Sequence, residues 1–585
     1  MKTLPTADPV SRWSTAVAEP PVASAASAQT QHQSQMMKWV KILFFFSGFP
    51  ALIYQIVWQR ALFTIYGVNI ESVTIVVSAF MLGLGLGSLF GGYLSNNPKL
   101  PMLAVFGAIE LSIGTFGAAS LHIFRWAGSY TAGTSLLATG VLTFTLVLIP
   151  TLLMGATLPV LVAHLVRLSS NVGSSVGVLY YVNTLGSAVA CLAAAAFLMR
   201  GLGESGCVAC AAAINFTIGS AAWVSYLLAG KTAPVQTEAL TETDATAGRS
   251  LFPFPIALSL AGLSGLIALS YELLWYRAFS FVSGTRASAF SLLLGAYLGG
   301  IALGSRYSRD LCLRLSHSEQ RRRVLGVVSA LLVTANTLGF LVVPSMAFSV
   351  RWTTYVGTLW LVVLSAGLLG AVLPLLTHIS IAPDHRAGVR LSRMYLANII
   401  GSTLGTFLVG FILMDHWSMQ QISVVLLLLG LAMAAAIQLN IARPEKRILL
   451  LGGLAALACA AVLAAPALYG TIYERMLFKT DYRPGVHFKH LLESRSGVVA
   501  VDKQNVVYGG GMYDGRFNID LVSNSNWIVR AYAVSAFHPK PRRVLMIGLS
   551  SGSWAQVIAN HSQLEHFTIV EITLRICNSS VSILR

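Results

Sequence analysis

Charge is what this sequence lacks most. Of its 585 residues only 10% are charged and 22 are acidic, while 55% are hydrophobic. A soluble chain devotes about a quarter of its residues to charge, so a water-exposed globular surface of this size is excluded. Cysteine is also scarce. Cys191, Cys207, Cys210, Cys312, Cys459 and Cys577 have no zinc-finger or disulfide-framework spacing, and the one CxxC, Cys207 and Cys210, opens the apolar stretch "GCVACAAAINF". No metal is expected, and no tightly bound cofactor. The first 35 residues contain no apolar run long enough for a signal peptide. Their Pro, Ala, Ser, Thr and Gln content points to a disordered cytoplasmic tail over residues 1–38, with the first helix serving as an uncleaved membrane signal.

Apolar runs, by contrast, are abundant. Stretches of about 20 residues, enough to cross the hydrocarbon core as helices, recur about thirteen times between Lys41 and residue 466. The chain is therefore read as a multi-pass membrane protein, mainly α, with the lipid bilayer as a partner. Its net charge of +17 does not indicate nucleic acid, because the basic residues lie mainly in short loops between apolar runs, where they orient helices.

The helices are written twice. Residues 47 onward, "SGFPALIYQIVWQRALF", align without a gap with 264 onward, "SGLIALSYELLWYRAFS", at an offset of 217, and Ser47, Gly48, Tyr54, Trp58, Arg60, Gly83 and Gly87 each meet an identical partner. "GATLPVL" (155–161) then pairs with "GAVLPLL" (370–376), and "YYVNTLGS" (180–187) with "YLANIIGS" (395–402), at an offset of 215. Each copy holds about six helices, over 39–230 and 253–442, with a linker at 231–252. An even number of crossings makes the two repeats parallel, as in two-halved transporters.

The densest Lys and Arg, in "RYSRDLCLRLSHSEQRRR" (306–323), "DHRAGVRLSR" (384–393) and "RPEKR" (443–447), fall on the side of the N-terminus, which is expected to be cytoplasmic in a cell (inner) membrane. A thirteenth apolar run at 443–468 would put everything after it outside, unless it lies at the interface or re-enters.

From about residue 469 the composition turns soluble. Residues 469–540 alternate apolar and polar residues, with turns expected at Asp502 to Gln504 and at Asp514-Gly515, as in short antiparallel strands. Residues 541–585 read as strand "VLMIG", turn "LSSGS", helix "WAQVIAN" and strand "FTIVE", the first part of a Rossmann-like α/β unit. Gly548 and Gly552 bracket a turn open to a ligand, Ser553 can cap the helix, and Glu571 stands where an acid accepts hydrogen bonds from ribose hydroxyls.

"SGFPALIYQIVWQR", its echo "YELLWYR", "GATLPVL", and the tail's "YDGR" with "HPKPRRVLMIGLSSGS…TIVE" resemble the membrane-fused spermidine synthase-like family, polyamine aminopropyltransferases with an N-terminal multi-pass region. The resemblance implies transfer of an aminopropyl group from decarboxylated S-adenosylmethionine (or S-adenosylmethionine as the bound nucleoside) to an amine such as putrescine. On it, Gly548, Ser550, Gly552 and Glu571 would hold the nucleoside and Asp514 the substrate. Ser550 stands where the family has a glycine. The family continues past Glu571 with more strands and a catalytic acid, whereas here "ITLRICNSSVSILR" follows. The catalytic residue is thus unknown, and the expectation is a C-terminally truncated, impaired enzyme.

Polar groups inside an apolar bundle are functional candidates by default. Glu272 and Arg277 share one helix, and Gln55 and Arg60 occupy the matching places in the first copy. With Tyr54, Trp58, Tyr271 and Trp275 around them, Arg60 and Arg277 are read first as interfacial anchors. Glu110 is the candidate for a cation or proton site, and Asn183 and Asn398 for bridges between helices. The alternative function is transport of polyamines or related small cations through the repeated bundle. A small-molecule amine is the expected partner on either reading, and homo-oligomerisation is left open.

Overall fold

The computed structural model describes residues 22–66, 70–97, 99–131, 136–169, 172–229, 252–286, 288–314, 320–382, 386–441, 444–495 and 497–571. Residues 1–21 of the expected disordered tail, residues 231–251 of the expected linker, and Cys577 lie outside them; residues 22–38, expected to be disordered, are helical and continue into the first membrane helix.

Among the described residues, twelve helical segments are long and apolar enough to cross a membrane. The longest, Val172–Leu228, has 57 residues and is broken at Gly203, whose φ of 63° suits only a residue without a Cβ, so it is long enough for two crossings. The first half comprises α1 (Val22–Tyr66), α2 (Ile70–Ser95), α3 (Met102–Thr131), α4 (Leu136–Ser169), α5 (Val172–Ala193) and α6 (Met199–Ala229). The second comprises α7 (Phe254–Ser283), α8 (Ala289–Arg314), α9 (Gln320–Ser349), the pair α10 (Trp360–Gly370) and α11 (Val372–Ser380), the pair α12 (Ala387–Phe407) and α13 (Met414–His416), and α14 (Met419–Ile441).

Corresponding helices find corresponding partners. In the first half α1 packs on α5, α2 on α4 and α3 on α6; in the second, α7 packs on α12, α8 on α10 and α9 on α14. The halves join where α5 meets α8 and α2 meets α12. In lipid no hydrophobic effect drives helices together, so close backbone approach through small residues supplies the attraction. A Cβ on Gly87 would strike the backbone of Leu152, and one on Gly304 the backbone of Gly367, the same contact in each half.

Helix α15 (Pro444–Tyr469) lies along the outside of this bundle with little of its surface covered, as a lipid-facing helix does. It leads to α16 (Ile472–Phe478) and a four-stranded antiparallel sheet in the order β1 (His490–Ser494), β2 (Gly497–Val501), β3 (Val506–Gly509), β4 (Met512–Arg516). The β2–β3 turn falls at the expected Asp502, whose Oδ1 accepts from the amides of Gln504 at 2.9 Å and Val506 at 2.8 Å. The β3–β4 turn does not fall at Asp514-Gly515, which lie inside β4. It falls at Gly510-Gly511, whose φ values of 56° and 82° supply the two left-handed positions of a tight hairpin.

After the short helices α17 (Val529–Tyr532) and α18 (Val534–Phe537), β5 (Arg543–Ile547), α19 (Ser553–Ala559) and β6 (His566–Val570) form one parallel strand pair with its crossover helix. Among the described residues the α/β unit extends no further.

Gly304→Val should destabilise the detergent-purified protein by about 2 kcal/mol or more, because the added side chain meets backbone that cannot yield. Gly452→Ala, on α15 with open space around it, should shift stability by no more than about 1 kcal/mol, in the stabilising direction of helix propensity. Equal melting temperatures for the two variants would discount close α8–α10 packing.

Candidate functional site

A cavity of about 2230 Å³ lies between the two halves. Its walls come from the middle and the tail-side parts of the helices: Gln55 and Arg60 of α1, Tyr180 and Asn183 of α5, Glu272, Tyr276 and Arg277 of α7, Tyr297 of α8, Tyr395 and Asn398 of α12. At the opposite end, where the basic loops lie, the halves close on each other. Ser88 Oγ donates to Ser392 O at 3.3 Å, a Cβ on Gly92 would strike Ser392, one on Gly388 would strike Ser95, and Gly177 lies against Ser305 and Arg309. Small residues on both sides make that closure tight.

The asparagines bridge helices identically in the two copies. Asn183 Nδ2 donates to Phe44 O at 3.2 Å and Asn398 Nδ2 to Ala261 O at 3.0 Å, and Phe44 and Ala261 are themselves 217 residues apart. The aromatic residues are not interfacial anchors. Tyr54, Trp58, Tyr271 and Trp275 are all at most 1% exposed; Trp58 Nε1 donates to Ser120 Oγ at 2.9 Å and Trp275 Nε1 to Gly339 O at 3.2 Å. An indole whose N–H is satisfied inside the bundle gains nothing at the interface.

The two arginines also have protein partners, and only Arg277 is enclosed, so the anchor reading is corrected at Arg277 alone. Arg60 lies 3.5 Å from Glu204 at the open rim. Arg277, only 10% exposed, lies 3.8 Å from Glu493 of β1 and donates to Gly497 O at 3.3 Å. Glu493 also accepts from Tyr473 Oη of α16 at 2.9 Å and from the Met419 amide that begins α14 at 3.1 Å. Beside it, Asp415 of α13 accepts from the Arg495 amide at 2.9 Å. On the other flank Gly511 lies against Phe281 O, and Thr285 Oγ1 donates to Gly510 O at 3.3 Å. The tail sheet is thus moored to second-half helices at the face opposite the basic loops.

From this mooring the glycine loop overhangs the cavity. Gly548, Ser550 and Gly552 take φ values of 83°, 50° and 78°. Leu549 N donates to Glu571 Oε2 at 2.6 Å and Ser550 Oγ to Asp514 O at 2.7 Å. Burial pushes the Asp514 carboxyl up, a Ser550 hydrogen bond opposes that, and the Glu571 charge adds to it. Ser553 does not cap α19; Gly552 occupies that position, and Ser553 Oγ donates to Arg516 O at 3.0 Å. Asp514, Gly548, Ser550 and Glu571 line the same cavity as Arg60, Asn183, Glu272, Arg277 and Asn398, whereas Gly552 is not part of the lining.

Two acids lie within the bundle. Glu272 faces the cavity, forms no hydrogen bond or ion pair among the described residues, and acts electrostatically on Tyr297 and Cys191. Tyr297 is 2% exposed and its hydroxyl is unpartnered. Glu110 is 0% exposed and accepts from Ser47 Oγ at 2.5 Å and Asn215 Nδ2 at 2.7 Å. Sequence reasoning missed Tyr180, Tyr395 and Tyr297, although the first two begin the very repeat segments that pair the asparagines. It also missed Glu493, for which the sequence carries no signal.

No protein-family model matches the chain, and none of the curated proteins does. Solved structures do. A bacterial homologue of the iron transporter ferroportin in an outward-facing state is 16% identical over 70% of this chain and 97% of its own, with a TM-score of 0.45. The nucleoside transporter NupG is 14% identical over 69% and 98%, with a TM-score of 0.44. FucP, a Major Facilitator Superfamily transporter in the outward conformation, is 13% identical over 68% and 98%, with a TM-score of 0.42. These neighbours are transporters and none is an aminopropyltransferase, so the enzyme expected from the sequence is without support among them. The glycine loop opens into the helix-bundle cavity.

Glu493→Gln leaves Arg277 buried without its counter-charge, a loss of about 3 kcal/mol at such pairs. Faster proteolysis and faster amide exchange in residues 490–516, with the helices unchanged, are the expected outcome; an unaltered exchange pattern would show that the mooring lies elsewhere.

Proposed function

We propose that the chain is an alternating-access transporter of a small organic cation, embedded in the cell (inner) membrane with its N-terminus in the cytoplasm. One observation carries this reading: a cavity between two like-packed halves, shut at one end by small-residue contacts, holds an unpaired carboxylate, Glu272, beside an unpartnered buried hydroxyl, Tyr297. A carboxylate kept from protein partners inside a bundle is costly unless a cation or proton answers it. Tyr180, Tyr276, Tyr297 and Tyr395 surround the same space, and aromatic faces attract an ammonium group by about 0.5–2 kcal/mol each. Two parallel repeats rocking about a midplane site would expose it alternately to each face.

The charge pattern supports the orientation. Arg309, Arg322, Arg323, Arg390, Arg393 and Arg447 gather at the closed end, which supports a cytoplasmic position for that end. Helix α15 then crosses once more, and the tail sits outside, over the open mouth. Its loop and Glu571 form the roof of the entrance vestibule.

Purified protein in liposomes should take up radiolabelled putrescine, and Glu272→Gln should reduce uptake about tenfold or more, the effect of losing one charged contact. Background flux in both proteins would overturn the reading. In a cysteine-free background, Val522→Cys, at a tail position 95% exposed, should react with an impermeant maleimide applied to intact cells. Labelling only after the cells are opened would reverse the orientation.

A further inference from the structure

We infer that Glu110 is the proton-coupling carboxylate of the transport cycle, which rests on the transporter reading above and adds a driving ion to it. The two intramembrane acids break the duplication in different ways. Glu272 answers to Gln55 in the first half and stands open in the cavity wall. Glu110 belongs to α3, whose counterpart α9 has no acidic residue along its length. One acid is placed for a ligand; the other is walled off from anything larger than a proton.

Glu110 lies one layer behind the cavity. The residues that hold it, Ser47 of α1 and Asn215 of α6, themselves line the cavity. The Ser47 hydroxyl bridges carboxylate and cavity, a one-step path for a proton. From α1, Tyr54 senses the Glu110 charge but is neutral, and its hydroxyl is unpartnered. From α6, Cys210 lies beyond Tyr54, and the Asn215 Oδ1 atom is unpartnered. From α4, which also packs on α3, the basic residues are His164 and Arg167, both in the last two turns at the basic-loop end. Among the described residues no Lys, Arg or His forms an ion pair with Glu110.

A carboxylate with two donors and no cation, wholly enclosed in the hydrocarbon region, is most cheaply accommodated as the neutral acid. In the conformation described here, closed toward the basic loops, Glu110 therefore holds its proton. Rocking of the halves carries α1, α3 and α6 together and changes which face of the membrane the cavity in front of Ser47 and Asn215 opens to. Where water fills the newly opened cavity it stabilises the anion through Ser47 and Asn215, so proton release follows the change of access. Its place near the deep end of the cavity puts it close to both faces in turn.

The test uses the full chain in liposomes and two assays. Putrescine counterflow at equal pH on both sides reads the transport cycle alone; accumulation driven by an imposed pH gradient reads coupling. Glu110→Gln should keep counterflow and lose gradient-driven accumulation about tenfold or more, a usual size for coupling between sites. Ser47→Ala should shift the pH dependence of accumulation without abolishing it. Infrared difference spectra of the wild type should show a protonated-carboxyl band that titrates and is missing from Glu110→Gln, a readout that needs no substrate. Full accumulation by Glu110→Gln, or an unchanged infrared spectrum, overturns the proposal while leaving transport intact. Absence of counterflow in the wild type removes the transporter reading and this one with it. If Glu110→Gln fails to fold, Ser47→Ala and the infrared titration of the wild type decide the matter.

Discussion

Hydrocarbon offers a polar group no partner, and every feature of this molecule follows from how that deficit is met. Hydroxyls along the helices turn back on their own carbonyls, as Thr151 Oγ1 does to Val147 O at 2.9 Å. Asparagines reach across to a neighbouring helix. Each such bond sits beside a glycine: a Cβ on Gly48 would meet Asn183, and one on Gly265 would meet Asn398. The small residue permits the approach and the amide fixes its register. Where the halves separate a carboxylate stands without a protein partner, and that carboxylate is Glu272.

Duplication makes the departures from it informative. A contact present in both halves, such as Gly87 on Leu152 and Gly304 on Gly367, has a packing role that explains it twice over. Gly114 faces Asn215 in the first half whereas Asn336 faces Gly430 in the second, so the helix that carries the amide has been exchanged. In the first half that exchange points an amide donor at Glu110; in the second, Asn336 Nδ2 returns to Leu332 O of its own helix at 2.8 Å. The same two helices thus hold an acid in one half and, in the other, an amide whose nitrogen bonds its own helix. The asymmetry is chemical while the packing is shared.

The sequence shows its helices plainly because long apolar runs have one stable solution in lipid, and it shows the repeat because identical residues recur at a constant offset. Burial within the bundle was less visible. Tyr54 and Trp58 look like interface residues from composition, yet their enclosure depends on α3 presenting Gly117 and Ser120 beneath them, which no periodicity of α1 reveals. The tail hairpin was placed four residues late because Asp-Gly is a strong turn signal, and here the glycine run ahead of it claims the positive φ values at Gly510 and Gly511. Least legible was the cavity itself: Glu493 and Arg277 are 216 residues apart, and nothing local in either segment announces that they meet.

The mooring of the tail constrains the motion. Its polar attachments run to α7, α13, α14 and α16, and the first half meets it only across the cavity, through residues such as Gln59 and Arg60. If the two halves rock, the tail travels with the second, and the gap between the glycine loop and the first-half rim opens and closes with the cavity. Buried ion pairs hold geometry better than they add stability, and Arg277 with Glu493 is one of them, so the pair serves to keep the roof in register with the helix that bears Glu272. Arg277 and Glu272 are little more than one turn apart on α7. A shift of that helix reaches the roof and the intramembrane acid together, which ties the width of the entrance to the state of the site beneath it.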